Sequence, residues 1–146
     1  CYNKMFSGCI ALETAPELPA TTLADGCYSE MFSGCTALGT APDLPAETLA
    51  PYCYQCMFKN CSALQSVRIK AKPVFDTQEE EYLSFQIIEY ANCFVRWLDG
   101  AGSDNRKIYC YQEFYDFINE SSKFVDSPLC PYWSFYDIDN TWSQWW

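Results

Sequence analysis

Two consecutive stretches at the start of the chain are nearly the same. Residues 1–26 read CYNKMFSGCIALETAPELPATTLADG, and residues 27–52 read CYSEMFSGCTALGTAPDLPAETLAPY. They share 18 of 26 positions without a gap, which makes them copies of one unit. A third copy begins at Cys53 and departs from the pattern at residues 67–70. A fixed period of 26 is typical of architectures in which each unit stacks on the next.

Stacked units place equivalent side chains against one another, because one unit alone cannot bury its apolar positions. We expect the buried rows to be Cys1/Cys27/Cys53, Met5/Met31/Met57, Phe6/Phe32/Phe58, Cys9/Cys35/Cys61 and Leu12/Leu38/Leu64. Positions that change between copies are expected to face water. These are Asn3/Ser29, Lys4/Glu30, Glu13/Gly39, Glu17/Asp43 and Thr21/Glu47.

The third unit carries a strand pattern that the first two units interrupt. Leu64, Val67 and Ile69 have the L-x-x-L-x-L spacing of a short parallel strand. At the corresponding place the first two units carry Pro-x-x-Pro, at 16–19 and 42–45. Because proline has no N–H for a strand ladder, we expect a short or bent strand in those units.

The repeated unit C-Y-x-x-M-F-S-G-C-x-A-L-x-T-A-P-x-L-P-A-x-T-L-A resembles the BspA-like leucine-rich repeat family. That family comprises bacterial surface proteins and is also found in phage tail and fibre proteins. The resemblance covers about residues 1–70. It implies an α/β fold, namely a leucine-rich repeat solenoid (a right-handed superhelix) that ends in a mixed α+β C-terminal cap.

The repeat stops near Lys72, so the predicted domains are repeats at 1–72 and a capping region at 73–146. Apolar residues at helical spacing predict a helix over 77–99 that Gly100 closes. Strands are predicted at 108–111 and 132–138. The order of these segments resembles the cap of BspA-like arrays. The chain starts within a repeat, so we expect further repeats before Cys1.

Composition excludes several functions. The chain has 19 acidic and 9 basic residues, a net charge of −10 and no histidine. An acidic chain does not suit nucleic acid or an anionic membrane surface. Lack of imidazole excludes a His-based triad or metal site. No apolar run is long enough to span a membrane, so direct membrane insertion is not expected.

No catalytic, metal or cofactor site emerges from the motifs. Six of the ten cysteines fall at equivalent repeat positions and are expected to be small buried side chains. Cys53 and Cys56 form a C-x-x-C, but no second ligand pair accompanies them. A disulfide among Cys93, Cys110 and Cys130 is an alternative to free thiols. We therefore expect a protein that is not an enzyme.

Aromatic residues concentrate at the C-terminus and suggest a binding surface. The candidate binding residues are Trp133, Trp142, Trp145 and Trp146, with Glu17 and Asp43 on the variable face of the repeats. Rings of this kind stack on sugars or anchor a protein partner, and they also fill cores.

The resemblance implies non-enzymatic recognition or adhesion by a bacterial cell-surface or secreted repeat protein. Its partner would be a protein or a glycan on a host or bacterial surface. The alternative is a structural or receptor-binding component of a phage virion, where the chain belongs to a larger assembly.

Overall fold

The computed structural model describes residues 2–73, 88, 90–102, 106–121 and 132–139. Three short strands form one parallel sheet in the order β1-β2-β3. They are β1 (Ser66–Ile69), β2 (Lys107–Cys110) and β3 (Ser134–Asp137). Helix α1, described at residues 88 and 90–93, precedes β2, and helix α2 (Gln112–Ser121) lies between β2 and β3. An intervening helix is the usual way to connect parallel strands.

The predicted leucine-rich repeat solenoid, a right-handed superhelix with a mixed α+β cap, is wrong. Over the described residues, what forms is a small open sheet of three parallel strands with two helices. Residues 2–52 contribute no strand to it and contain no helix; their backbone consists of turns and single bridges, such as Thr14 to Thr40. The sheet begins at β1, in the third unit, and its other two strands come from residues 107–137.

The prolines explain why the first two units do not supply strands. Thr40 pairs with Ser66, and Leu44 pairs with Ile69, so four steps along unit two oppose three steps along β1. The extra residue makes this place a bulge, and Pro42 and Pro45 beside it have no N–H to donate. The short or bent strand expected there does not form, and isolated bridges take its place.

Equivalent residues of the three units nevertheless pack against each other, as predicted, but the rows are buried only in units two and three. In unit one Met5 and Cys9 are exposed, and Cys1 lies outside the described residues. The rings of Phe6 and Phe32 lie 5.6 Å apart and nearly parallel, and those of Phe32 and Phe58 lie 5.8 Å apart. Backbone N–H groups of one unit donate to carbonyls of the next, as from Phe6 to Met31 and from Phe32 to Met57. The segments that stack in this way are turns, whereas the sequence predicted that strands and helices would stack.

A fourth layer follows the third unit although the 26-residue pattern has ended. Tyr54 donates to the carbonyl of Cys93, and Phe58 donates to that of Trp97. The backbone turns in the same way in all four layers, with a positive φ at two positions four residues apart. The pairs are Lys4 and Gly8, Glu30 and Gly34, Cys56 and Asn60, and Arg96 and Gly100.

This fourth layer corrects the helix predicted over 77–99. Residues 88 and 90–93 are helical, but residues 94–100 form turns that stack on the third unit. The rest of that prediction, at 77–87 and 89, lies outside the described residues. The predicted strands at 108–111 and 132–138 are confirmed as β2 and β3, shorter or shifted by one or two residues.

The aromatic core joins the layers to helix α2. Phe94 and Trp97 of the fourth layer are fully buried, with ring centroids 4.9 Å apart. Phe114 of α2 packs edge-on against both. Such geometry suits the positive edge and negative face of aromatic rings. The helix therefore covers the layer that follows the third unit.

Substitution of Phe32 by alanine should destabilise the protein by about 3–5 kcal/mol, because the side chain is fully buried between two other rings. Glu30→Ala should cost less than about 0.5 kcal/mol, because this side chain is part-exposed and its ion pair with Lys4 is exposed. Urea denaturation of the two variants measures both values. Equal losses would contradict the packing of the units.

A second pair of substitutions tests the fourth layer. Gly26 and Gly100 both have a positive φ, so alanine at either position should cost about 1–2 kcal/mol in backbone strain. An added Cβ at Gly100 would also lie 2.5 Å from Asn60 Oδ1, whereas nothing lies within 4 Å of one at Gly26. Asn60 is exposed and its side chain can rotate away, so denaturant unfolding should show losses of similar size, set by the positive φ at each glycine. No loss at Gly100→Ala would contradict the turn that closes the fourth layer.

Candidate binding face on the three-stranded sheet

One row of side chains crosses the exposed side of the sheet. Alternate residues of a strand point to opposite faces, and Val67, Ile108 and Phe135 are buried on the inner one. Their neighbours Arg68 and Tyr109 face each other across β1 and β2. Tyr109 in turn pairs with Tyr136 of β3, and all three outward residues are half-buried. Strand register therefore aligns one cation and two rings.

The residues of this row contact one another. The guanidinium carbon of Arg68 lies 5.7 Å from the centre of the Tyr109 ring. The Tyr109 and Tyr136 rings are 5.6 Å apart and tilted by 37°. Each cation placed over a ring is attracted by its negative face, so the contacts hold the row in place.

Further cations extend this surface. The Lys107 ammonium lies 5.5 Å from the centre of the Tyr136 ring, and that of Lys72 lies 4.4 Å from the centre of Tyr111. Lys70 lies between Arg68 and Lys72 in the same alternation. We call this set the sheet face; it consists of Arg68, Lys70, Lys72, Lys107, Tyr109, Tyr111 and Tyr136. It holds four of the nine basic residues in a chain of net charge −10.

An acidic groove borders the sheet face. Glu17 and Asp43, both predicted as binding residues, line one groove of about 390 Å³ together with Pro16, Pro19 and Pro42. Asp43 is on the bulge opposite β1, and its carboxylate lies 3.5 Å from the Arg68 guanidinium. A second pair, Glu47 with Lys72 at 3.7 Å, continues the boundary. Both pairs are exposed, so each contributes about 1 kcal/mol at most.

The predicted tryptophans do not join this surface in the described part of the chain. Trp133 precedes β3 and is only 4% exposed, so its ring contributes to the core. Trp142, Trp145 and Trp146 lie outside the described residues. Of the six predicted binding residues, the structure brings together Glu17 and Asp43. A binding role for Trp142, Trp145 and Trp146 stays a prediction.

Sequence reasoning missed the residues of the sheet face. The signal was present, since Arg68, Lys70 and Lys72 alternate with apolar residues, as do Lys107, Tyr109 and Tyr111. Period-2 alternation assigns all six to one side of their strands. What the sequence did not show is that residues 66–69 pair with residues 107–110, which lie 41 positions further along.

Six of the cysteines that the structure describes are buried inside the layers, whereas Cys9 is exposed and Cys56 is part-exposed. Cys93 and Cys110, two of the three cysteines of the predicted disulfide, are not joined to each other, and Cys130 lies outside the described residues. Cys35 donates to the carbonyl of Phe6, and Cys61 donates to that of Phe32, so each thiol also links two layers. Burial raises the pKa of both Cys61 and Cys110 to about 12. Such thiols are poor nucleophiles at neutral pH.

Cys53 and Cys56, the predicted C-x-x-C, have different surroundings. Cys53 is fully buried, and a hydrogen bond with Cys93 together with burial raises its pKa. Cys56 is part-exposed beside Lys59 and Arg96, and burial is the main cause that raises its pKa. Across the described residues, no three Cys, Asp or Glu side chains are grouped so that they could hold a metal ion.

None of the helices in the described residues is long and apolar enough to cross a membrane. Comparisons with models of known protein families, with curated proteins and with solved structures found no match. Membership of the BspA-like family therefore stays a prediction, and the case for a function depends on the geometry of the sheet face.

Thiol alkylation tests the environment of the cysteines. At pH 8, a rise in pKa from 9.0 to about 12 lowers the thiolate fraction of Cys61 and Cys110 by roughly a thousandfold, and burial also blocks access. Iodoacetamide should therefore modify the exposed Cys9 first and leave Cys61 and Cys110 unmodified in the folded protein. Peptide mass spectrometry measures this, and urea should make all of them reactive. Rapid modification of Cys61 without urea would contradict the layered packing.

Proposed function

We propose that this protein is a non-enzymatic recognition module that binds an acidic glycan through the sheet face. The observation that carries the proposal is the aligned row of Arg68, Tyr109 and Tyr136 on the exposed side of the sheet. A sugar ring has an apolar face that stacks on tyrosine, and a uronic acid or sulfate group adds the negative charge that a guanidinium or ammonium group binds.

The charge distribution supports an acidic ligand with few anionic groups. The net charge of −10 repels a polyanion at long range, whereas screening limits each interaction to about 8–10 Å at physiological salt. Within that distance a ligand on the sheet face meets Lys70, Lys107 and Arg68. The neighbouring Asp43 and Glu47 disfavour anions beyond the edge of the face. The ligand is therefore positioned over the strands and away from the bulge.

The rings and cations of the sheet face contact each other within the protein, so the face is preformed. Preformed contacts reduce the conformational entropy that binding costs. The sheet face carries no carboxylate or thiol of its own that could act as general base or nucleophile. On this proposal the protein acts on a bacterial cell surface or after secretion, a location that depends on the resemblance of its repeats.

A glycan array that pairs each neutral oligosaccharide with its uronic acid or sulfated form tests the proposal. We expect binding to the acidic members only, and weaker binding when the salt concentration rises from 50 to 300 mM. Tyr136→Ala and Arg68→Ala should each weaken binding about tenfold or more, which corresponds to about 1.4 kcal/mol.

The matched control is Tyr52→Ala, which removes an exposed ring from a turn outside the sheet. This variant should bind as the unmodified protein does, and circular dichroism should show that all three variants are folded. Equal binding to neutral and acidic glycans, or binding that Tyr136→Ala leaves unchanged, would refute the proposal.

A further inference from the structure

The first unit exposes side chains that are buried in the second. Tyr2 is 50% exposed and Met5 is 58% exposed, whereas the equivalent Tyr28 and Met31 are 2% and 1% exposed. The residue types are the same at both places, so the difference comes from what covers them. Unit one covers unit two, and no described residue covers unit one in the same way.

The backbone of the first unit also has carbonyl groups without backbone donors among the described residues, on the side where Tyr2 and Met5 are exposed. Carbonyls of Ser29, Met31 and Ser33 accept hydrogen bonds from N–H groups of unit one at 2.7–3.0 Å. The corresponding carbonyls of Asn3, Met5 and Ser7 accept none from the backbone of the described residues. We call these three carbonyls, with the side chains of Tyr2 and Met5, the first-unit edge. An apolar recess of about 210 Å³ adjoins this edge, with Phe6, Leu18 and Met31 among its lining residues.

We propose that the first-unit edge binds a further polypeptide segment with the pattern C-Y-x-x-M-F-S-G-C. The contact between units one and two is already of this kind, and the edge continues it. The segment would donate N–H groups at alternate positions to Asn3, Met5 and Ser7. It would also stack a tyrosine on Tyr2 and a phenylalanine on Phe6, as Tyr2 and Phe6 themselves stack on Tyr28 and Phe32 at 6.0 and 5.6 Å.

Charge selects among possible segments. At the fourth position of the units, Lys4 lies 3.5 Å from Glu30. A docked segment with Glu at this position would pair with Lys4, whereas a segment with Lys would repel it. A peptide with the sequence of residues 27–52 should therefore bind better than one with the sequence of residues 2–26, by a few-fold at most, since exposed pairs contribute little.

Two first-unit edges of separate copies do not fit each other. Both present carbonyl acceptors, so a face-to-face dimer would leave those groups without N–H donors and would remove them from water, which costs free energy. A segment with the backbone turns of this repeat supplies the donors. Because a repeat segment offers N–H donors and a second first-unit edge does not, we expect the first-unit edge to bind a repeat segment.

Fluorescence anisotropy with a labelled peptide of residues 27–52, in reducing buffer, tests the proposal on the full chain. Met5→Lys should weaken binding more than tenfold, because the equivalent Met31 is buried once a unit covers it. Ile10→Lys is the matched control. Ile10 is 71% exposed, and the equivalent Thr36 stays exposed although a unit covers its neighbours, so this variant should bind normally.

Saturable 1:1 binding that Met5→Lys weakens and Ile10→Lys does not would support the proposal. Absence of binding at millimolar peptide, or equal loss in both variants, would overturn it. Analytical ultracentrifugation of the chain without peptide shows whether two copies associate. A dimer that Met5→Lys dissociates and the peptide does not displace would also overturn it, since the edge would then belong to a second copy. None of these results depends on glycan binding.

Discussion

The hydrogen bonds between successive layers are the constraint on which the rest of the structure depends. In units one and two, each N–H at the second, fourth, sixth and eighth position donates to a carbonyl 25 residues further on, as Tyr2 does to Cys27. In unit three the same four positions donate to carbonyls 39 residues further on, as Tyr54 does to Cys93. This fixed register places phenylalanine on phenylalanine. A slip by one residue would exchange buried for exposed positions throughout the stack and leave the carbonyls without donors. Residues in left-handed conformation, such as Glu30 and Gly34, make the turns that keep the register from one layer to the next.

The sheet forms where the repeat loses its prolines. Units one and two carry Pro-x-x-Pro and make only single bridges, and in unit two one extra residue bulges opposite β1. In unit three the same place reads Val67-Arg68-Ile69-Lys70, which has every N–H and the β-branched residues that suit a strand. The departure from the repeat pattern at residues 67–70 thus allows β1 to form and places Arg68 and Lys70 on the outer side of the sheet. The candidate binding face depends on this departure, and the layers beneath it supply the rigid support.

Local patterns in the sequence predicted the parts of the structure that depend on local chemistry. Stacked equivalent rings, the interruption of strand pairing beside Pro42 and the strands at 108–111 and 132–138 were all predictable. The fold class was not, because the pairing of β1 with β2 is a long-range contact that no periodicity reveals. Trp97 was assigned to a helix, since its spacing is helical, but hydrogen bonds from Cys56, Phe58 and Asn60 hold that segment in turns. Ser29 was expected to face water and is buried, because both neighbouring layers cover it.

The two proposed surfaces occupy different parts of one row of chain segments. Bridges and strand pairs connect Thr14, Thr40, Ser66, Lys107 and Ser134 in that order. The sheet face covers the last three segments, and the first-unit edge belongs to the first. Unit two separates them, so a segment bound at the edge does not displace a ligand from the sheet face. Asp43, at the bulge opposite β1, lies in unit two, and Glu17 holds the corresponding position in unit one. On the proposed function, the charge of these two carboxylates confines an anionic ligand to the strands.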